Sequence, residues 1–219
     1  MILDNTGPLI TVSNPPAGWA LMDGVTFMGS VIDLGSGVSS MCFSIREANG
    51  DEGIPIGFED LPVSYNPGTG EWSFSYDTLL VPDGYYVLYI EAEDNLGNEA
   101  SKTVPYSIRN WAVIELLPST EDNKAGRTMP VKFALRVVAE VDPDQPFVYN
   151  EELRIEIFAT ADPDNVLQES YYGETARDYR ISSVLYITNF KTLKTPMEYT
   201  VAIYRDTFDV GSFTFETVK

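Results

Sequence analysis

Apolar and polar residues alternate with a period of two along much of this 219-residue chain. Between Glu71 and Asp77, single serines separate the aromatic residues Trp72, Phe74 and Tyr76. Successive side chains of a β-strand point to opposite faces, so this pattern predicts strands with one face in a core and the other at the surface. No stretch shows the 3.6-residue period of a long helix, so the pattern favours an all-β architecture.

The run from Gly84 to Asp94 shows the same alternation over a longer stretch. One phase can enter a core, and it contains Tyr86, Leu88, Ile90 and Ala92. The opposite phase contains Tyr85, Val87, Tyr89, Glu91 and Glu93. Turn-forming residues separate such runs, at 14–18, 35–37, 66–68, 82–84, 95–98, 142–144 and 162–164. Many short strands with frequent turns are typical of antiparallel β-sandwiches.

The strand signals fall into two sets that divide near residues 108–111, and each half is long enough for a small core. We therefore predict two tandem antiparallel β-sandwiches, at residues 1–108 and 109–219. Trp111, at the division, either packs between the two domains or joins the second core. Residues 174–195 contain neither glycine nor proline, and they predict further strand with one helical turn near residues 190–194.

Charge and composition exclude several kinds of chemistry. The chain carries 33 acidic and 14 basic residues, for a net charge of −19, which disfavours nucleic acids and anionic membranes as partners. It contains no histidine, which removes the commonest general base and histidine-ligated zinc. Cys42 is the single cysteine, so no internal disulfide can form. Composition thus favours a protein that is not an enzyme.

The ends of the chain say little about targeting. The N-terminus has no basic region followed by an apolar run, so it does not have the pattern of a signal peptide. No window approaches the roughly 20 consecutive apolar residues of a membrane span, so we expect no membrane insertion. We expect Met1 to have been added to a segment of a longer chain, because the sequence begins directly with a strand-entry pattern.

The first half resembles a bacterial immunoglobulin-like (Ig-like) repeat. The motifs occur in the expected order: an opening at residues 4–12, Gly37-Val38 before the strand at 41–45, Trp72 in a later strand, and the run from Pro82-Asp83-Gly84 to Leu96-Gly97-Asn98. The resemblance implies an Ig-like sandwich over about the first 105 residues. It places Tyr86 where a tyrosine corner returns its hydroxyl to the backbone, and Leu88 where an antibody domain has its second cysteine.

The second half is similar to a prokaryotic family named for its Pro-x-Lys-Phe motif, seen here as Pro130-Val131-Lys132-Phe133. Residues 186–192, 199–201 and 213–215 also agree with that family, whereas Met197-Glu198 stands where it often has glycine. The resemblance implies a β-sandwich module of secreted or surface multidomain proteins, with no known catalytic residues. Alternation points Phe133 inward and Lys132 outward.

The strongest candidate site is a group of oxygen ligands at one end of the first domain. In an Ig topology the N-terminus, the B–C loop and the F–G loop meet there, which would gather Asp4, Asp33, Asp94 and Asn95. Such a set could supply part of a calcium shell. The alternative is that these residues form turns by bonding their own backbone. For Asp142-Pro143-Asp144 and residues 162–165, solvated turns are favoured over a second calcium site.

Tyr85 and Tyr89 share the outer face of one strand, and they could bind a glycan or a protein partner. The alternative is that they are ordinary strand tyrosines. The adjacent carboxylates Glu151-Glu152 and Asp51-Glu52 could suggest a glycosidase, but chance pairs are expected among 33 acidic residues. We therefore predict no catalytic residues and, calcium aside, no cofactor.

These observations together predict a structural or adhesion segment of an extracellular or cell-surface protein. We expect it to act as a spacer or stalk whose partners are neighbouring domains of the same chain, with residues 107–111 as the junction. Two alternatives stay open: a glycan- or protein-binding module, and an accessory domain of a secreted hydrolase. The surface location rests on the family resemblances alone.

Overall fold

A computed structural model describes residues 4–48, 54–59, 63–118, 123–138 and 147–219. The chain divides into two compact units, Met1–Asn110 (unit 1) and Trp111–Lys219 (unit 2). The division lies two residues after the boundary drawn from the sequence. Within the described part of the chain, no helix has the length and apolar character of a membrane span.

Unit 1 is built from antiparallel strands apart from one short parallel pair. The strands are β1 (Leu9–Asn14), β2 (Ala20–Leu21), β3 (Gly24–Ile32), β4 (Val38–Glu47), β5 (Ile54–Glu59), β6 (Ser64–Asn66), β7 (Glu71–Asp77), β8 (Gly84–Asp94) and β9 (Glu99–Ile108). One sheet has the order β1-β3-β7-β6, and the other has β2-β9-β8-β4-β5. These orders match the ABED and GFC sheets of an immunoglobulin domain, so unit 1 is Ig-like.

The core of unit 1 lies between its two sheets and contains the residues that the alternation selected. Trp72, Phe74 and Tyr76 of β7 are buried, as are Leu88 and Ile90 of β8. The hydroxyl of Tyr86 donates a hydrogen bond of 2.7 Å to the Pro82 carbonyl oxygen, which confirms the predicted tyrosine corner. Leu88 is fully buried at the position where antibody domains have a cysteine.

Unit 2 is a second sandwich. Its strands are β10 (Trp111–Leu117), β11 (Thr128–Val137), β12 (Phe147–Val148), β13 (Arg154–Ala159), β14 (Val166–Ser170), β15 (Arg180–Ser182), β16 (Leu185–Lys191), β17 (Glu198–Arg205) and β18 (Phe208–Glu216). One sheet has the order β10-β11-β16-β15, with β12 also paired to β11, and the other has β14-β13-β17-β18. Side chains of both sheets form the core, and Trp111 packs against it.

The all-β prediction is confirmed, and one local expectation changes. The helical turn predicted near residues 190–194 does not form, because β16 remains extended as far as Lys191 and pairs there with Thr128 of β11. A short 3-10 turn occupies Thr78–Leu80, where the Asp77 side chain accepts a hydrogen bond from the Leu79 N–H. Cross-strand pairing therefore decided the conformation at Lys191, where the local sequence was ambiguous.

Candidate functional site

Three carboxylates meet at the end of unit 1 where the chain enters. Asp4 precedes β1, Asp33 follows β3, and Asp94 is the last residue of β8. One carboxylate oxygen from each lies within 4.8 Å of the others. Asp94 is buried, and Asp4 and Asp33 are half-buried. The Ig topology therefore brings together three residues that are far apart in sequence.

The Asp94 side chain is held by the F–G loop, which joins β8 to β9. Its carboxylate accepts hydrogen bonds from the backbone N–H of Leu96 (2.8 Å) and Asn98 (2.8 Å), and from the Asn98 side-chain amide (2.7 Å). Burial raises the pKa of Asp94, but hydrogen bonds from Asn98, Leu96 and Ser36 outweigh it and lower the pKa to about 2. Asp94 is therefore ionised at neutral pH.

Asp33 and Asp4 both accept hydrogen bonds from the backbone of the B–C loop, which joins β3 to β4. Asp33 accepts hydrogen bonds from the backbone N–H of Ser36 (2.7 Å) and Gly37 (2.6 Å). Asp4 accepts a third from the Ser36 N–H (3.1 Å). The approach of Asp4 depends on Gly35, since a Cβ there would stand 1.8 Å from the Asp4 Oδ2. The two aspartates thus tie the chain entry to this loop.

Asn95 and Asn98 complete the cluster through their amide nitrogens. Asn95 donates to the carbonyl oxygens of Ser36 (2.8 Å) and Gly37 (3.0 Å), and so joins the F–G loop to the B–C loop. Asn98 donates to the Asp4 carbonyl oxygen at 3.2 Å. Sequence reasoning named Asn95 but missed Asn98, although the Leu96-Gly97-Asn98 motif contains the signal.

This arrangement is compatible with both alternatives drawn from the sequence. Ionised carboxylate oxygens in close proximity are the ligands that calcium prefers, and calcium takes six to eight oxygens. The same oxygens already accept backbone hydrogen bonds, as turn-forming aspartates do. Calcium binding at this carboxylate cluster therefore stays a prediction of the sequence.

A thermal unfolding series tests that prediction. If calcium binds the native cluster, millimolar calcium raises the unfolding temperature of the full chain by several degrees, because a ligand that binds only the folded state stabilises it. Asp33→Asn keeps the shape of the side chain and removes a charge, so it should shrink the shift. Asp162→Asn, in an exposed hairpin of unit 2, should leave the shift unchanged. Equal responses to calcium and magnesium, or none, would assign the aspartates to turn formation alone.

The second candidate site is the strand face that carries Tyr85 and Tyr89, and the two rings differ in their exposure. Tyr85 is 47% exposed, whereas Tyr89 is half-buried. The guanidinium carbon of Arg46 lies 3.9 Å from the centroid of the Tyr89 ring, and the Tyr89 hydroxyl bonds the Glu91 carboxylate. This hydrogen bond raises the pKa of Tyr89. Of the two rings, Tyr85 is therefore the more exposed.

A groove of about 690 Å³ lies beside Tyr89 on the same face of unit 1. Three carboxylates line it, from Glu91 and Glu93 of β8 and Glu99 of β9, together with the half-buried Cys42 of β4. No lysine or arginine is among the described residues that line it. The groove is therefore acidic, and it favours a cationic ligand over a neutral one.

The other candidates have structural explanations or lie outside the described residues. Glu151 forms an ion pair with Arg205, with 3.3 Å between Oε2 and Nε. Residues 162–165 form an exposed turn between β13 and β14, as expected. Asp51-Glu52 and Asp142-Pro143-Asp144 lie outside the described residues.

Several solved structures are similar to this chain. The endo-beta-1,4-mannanase from Thermotoga petrophila has 17% sequence identity and a TM-score of 0.38, over 48% of this chain and 20% of that chain. A chimeric titin Z1Z2-Z1Z2 tandem has 11% identity and a TM-score of 0.33, over 96% and 98%. A tetra-tandem repeat in the extending region of a large adhesion protein has 14% identity and a TM-score of 0.48, over 98% and 49%. The chain thus spans a fifth of the mannanase structure and about half of the adhesion structure.

No family model and no curated protein matches the chain. The Ig-like character of unit 1 accordingly rests on its own sheet order. The resemblance of unit 2 to the Pro-x-Lys-Phe family stays a prediction.

Proposed function

We propose that this chain is a non-catalytic spacer segment of a secreted or cell-surface multidomain protein. The observation that carries the proposal is a short parallel pairing in unit 1, where β2 lies beside β9 in an otherwise antiparallel sheet. This pairing joins a strand near the chain entry to the strand at the chain exit. A spacer must resist tension between these two points, because neighbouring domains act on it through the chain.

Three backbone hydrogen bonds extend this parallel patch at the two ends of the β2–β9 pairing. The Gly18 N–H donates to the Pro105 carbonyl oxygen (2.8 Å), the Ser107 N–H to Trp19 (3.1 Å), and the Arg109 N–H to Leu21 (2.9 Å). When two parallel strands are pulled from opposite ends, these bonds are loaded together in shear. An antiparallel pair pulled from one end would instead open one bond at a time. The patch is therefore placed to resist force along the chain.

Unit 2 repeats the arrangement in shorter form. Lys124 and Val218 form an isolated parallel bridge between an early segment and the last residues of the unit. The Ala125 N–H donates to the Val218 carbonyl oxygen (2.9 Å), and the Val218 N–H donates to Asn123 (2.7 Å). The end of each unit is thus bonded in parallel to a segment near its beginning.

Polar groups in the interior of unit 2 also have structural partners. The Gln168 side chain donates to the Ser170 hydroxyl (3.0 Å) and the Asn189 carbonyl oxygen (3.1 Å), and it contacts the Thr188 hydroxyl. These hydroxyls have no histidine beside them to activate them, since the chain contains none. This supports a non-catalytic role.

Ser107→Pro tests the mechanical proposal. The N–H of Ser107 bonds β2, so proline removes one bond of the patch and leaves the β8–β9 ladder in place. Pro105 already occupies the equivalent position two residues earlier in β9. We expect the equilibrium stability of unit 1 to fall by about 1–2 kcal/mol. The unfolding force of unit 1 should fall by a larger fraction, in single-molecule pulling of the full chain from both ends.

Thr103→Pro is the matched control, because it lies in the same strand and phase but beyond the pairing with β2. It should lower the unfolding force less than Ser107→Pro does. If both variants lower the force equally, the parallel patch does not carry the load. If the wild-type chain extends without resolved force peaks, the spacer role itself is contradicted.

A binding role is the second candidate, and the acidic groove beside Tyr89 favours it. Because Arg46 covers one face of the Tyr89 ring, stacking of a glycan across both tyrosines is disfavoured. Three carboxylates, with no lysine or arginine among the described residues that line the groove, favour a cationic protein surface instead.

A further inference from the structure

The outer face of one sheet of unit 2 carries a group of basic side chains, although the chain as a whole is strongly acidic. Buried Val131, Phe133 and Leu135 fix the inward phase of β11, so its even-numbered residues point outward. Strand pairing extends that outward phase to β16 and β15. The basic face consists of Lys132 and Arg136 on β11, Lys191 on β16 and Arg180 on β15.

No acidic residue faces outward on the described strands of this sheet, and no ion pair joins the four basic residues to a described carboxylate. The opposite sheet of unit 2 differs, because Arg154 there forms ion pairs with Glu156 and Glu169. The positive charge of the basic face is therefore not balanced by carboxylates within the described part of the chain.

Apolar residues fill the space between these charges. Ala134 and Ile187 lie on the outer face but are nearly covered, with 1% and 6% exposure. Leu116 and Phe147, at the margins, are 45% and 41% exposed. Lys132 and Arg136 are four residues apart on one strand, about 13 Å at 3.3 Å per residue. The face thus presents separated positive charges with exposed apolar side chains at its margins, a pattern suited to another protein surface.

The acidic groove of unit 1 has the complementary charge. Glu93 and Glu99 are direct cross-strand partners, and like charges in that position destabilise a sheet. Glu91 lies on the same face two residues earlier on β8. The nearest arginine on this sheet, Arg46, is engaged by the Ser44 hydroxyl (2.9 Å) and the Tyr89 ring. A cationic surface docked in the groove would relieve the repulsion between the glutamates.

We propose that the basic face of unit 2 docks on the acidic groove of unit 1 in a second copy of this chain. One chain carries both the basic face and the acidic groove, so a second copy can use both surfaces. Any other anionic partner would complement only the basic face. The two faces differ, so the contact is heterologous and leaves one of each unoccupied. Association can therefore continue beyond a dimer. This inference goes beyond the spacer role and does not depend on it.

The contact is weak by its nature. Exposed ion pairs contribute about 0–1 kcal/mol each, and salt screens them over about 8 Å at physiological ionic strength. The net charge of −19 on each copy opposes the encounter. Self-association should therefore depend on protein concentration and disappear in high salt.

Sedimentation velocity of the full chain over a concentration series tests this proposal. In about 50 mM salt we expect the weight-average mass to rise with concentration beyond that of a dimer, and in about 1 M salt to return to that of a monomer. Lys132→Glu with Arg136→Glu should abolish the rise, as should Glu91→Lys with Glu99→Lys. Lys194→Glu with Lys219→Glu makes the same charge change as the first pair at residues outside the strands that form the face, and should leave the rise intact.

Mixing the two charge-reversed variants provides the decisive measurement. The first variant has a unit 2 face without net charge beside its acidic groove, and the second has a basic face and a groove that is no longer acidic, so neither alone has a complementary pair and each should stay monomeric. In the mixture, the unaltered acidic groove of the first variant meets the unaltered basic face of the second, so association should return, which also shows that both variants are folded. A wild-type chain that stays monomeric at every concentration overturns the proposal. So does association that survives the reversals, or a monomeric chain that binds only poly-glutamate through its basic face.

Discussion

Phe133→Ala is expected to lower the free energy of unfolding of unit 2 by about 3–5 kcal/mol. Phe133 has no exposed surface. Its ring stacks on Tyr186 with 5.2 Å between centroids and lies 6.2 Å from the ring of Phe213 on the opposite sheet. Alanine would remove the contacts of both sheets at once and leave a cavity between them. Hydrogen–deuterium exchange, read peptide by peptide, would report the loss in unit 2.

Two neighbouring substitutions serve as controls. Phe133→Leu keeps most of the volume and should cost less than the alanine variant. Lys132→Ala removes an outward side chain and should change stability by no more than about 0.5 kcal/mol. Exchange in unit 1 should not change, because each unit has its own core. An equal loss from Lys132→Ala would show that the inward and outward phases have been misassigned.

Asn110→Ala is expected to destabilise unit 1 by about 2–5 kcal/mol, since each buried polar group that loses its partner costs about 1–3 kcal/mol. Asn110 is 1% exposed. Its amide nitrogen donates to the Thr78 carbonyl oxygen (3.0 Å), and its amide oxygen accepts from the Asp23 N–H (3.2 Å) and the Thr78 hydroxyl (3.1 Å). Alanine leaves the Thr78 carbonyl and the Asp23 N–H without these partners.

Asn66→Ala is the matched control in the same unit. Asn66 accepts a hydrogen bond from the Gly68 N–H (2.9 Å), but in an exposed turn where water can replace it. Its loss should cost about 1 kcal/mol or less. Denaturant unfolding that gave the two asparagine variants equal midpoints would contradict the assigned role of Asn110. The backbone N–H of Asn110 also donates to Asp83 (2.6 Å), so this residue anchors the chain exit by main chain and side chain together.

The sequence alone predicted the inward and outward phases of the long strands. Burial of Trp72, Phe74 and Tyr76 followed from alternation, because side-chain direction in a strand depends only on parity. The tyrosine corner at Tyr86 followed from the order of motifs. The grouping of Asp4, Asp33 and Asp94 followed from the Ig topology, which sets loop positions once the strand order is assumed.

The sequence patterns did not predict features that depend on a contact with a residue on another strand. Alternation placed Tyr89 outward, but it could not show that Arg46 on the neighbouring strand covers the ring. Ser44 has the outward parity of Arg46, yet it is 1% exposed and accepts a hydrogen bond from Arg46. The helical turn predicted near residues 190–194 was wrong, because pairing with β11 keeps Lys191 extended. In each case the deciding atom lies on another strand.

What the sequence by itself determined is therefore the strand phases, the turns and the two-sandwich organisation, because these depend on local periodicity and turn chemistry. Only the tertiary structure decided which strands are neighbours. That choice created the parallel β2–β9 patch, the hydrogen bonds of Asn110, and the opposite charges of the basic face and the acidic groove. Cross-strand contacts join residues that are many positions apart, and a pattern read along the chain has no access to them.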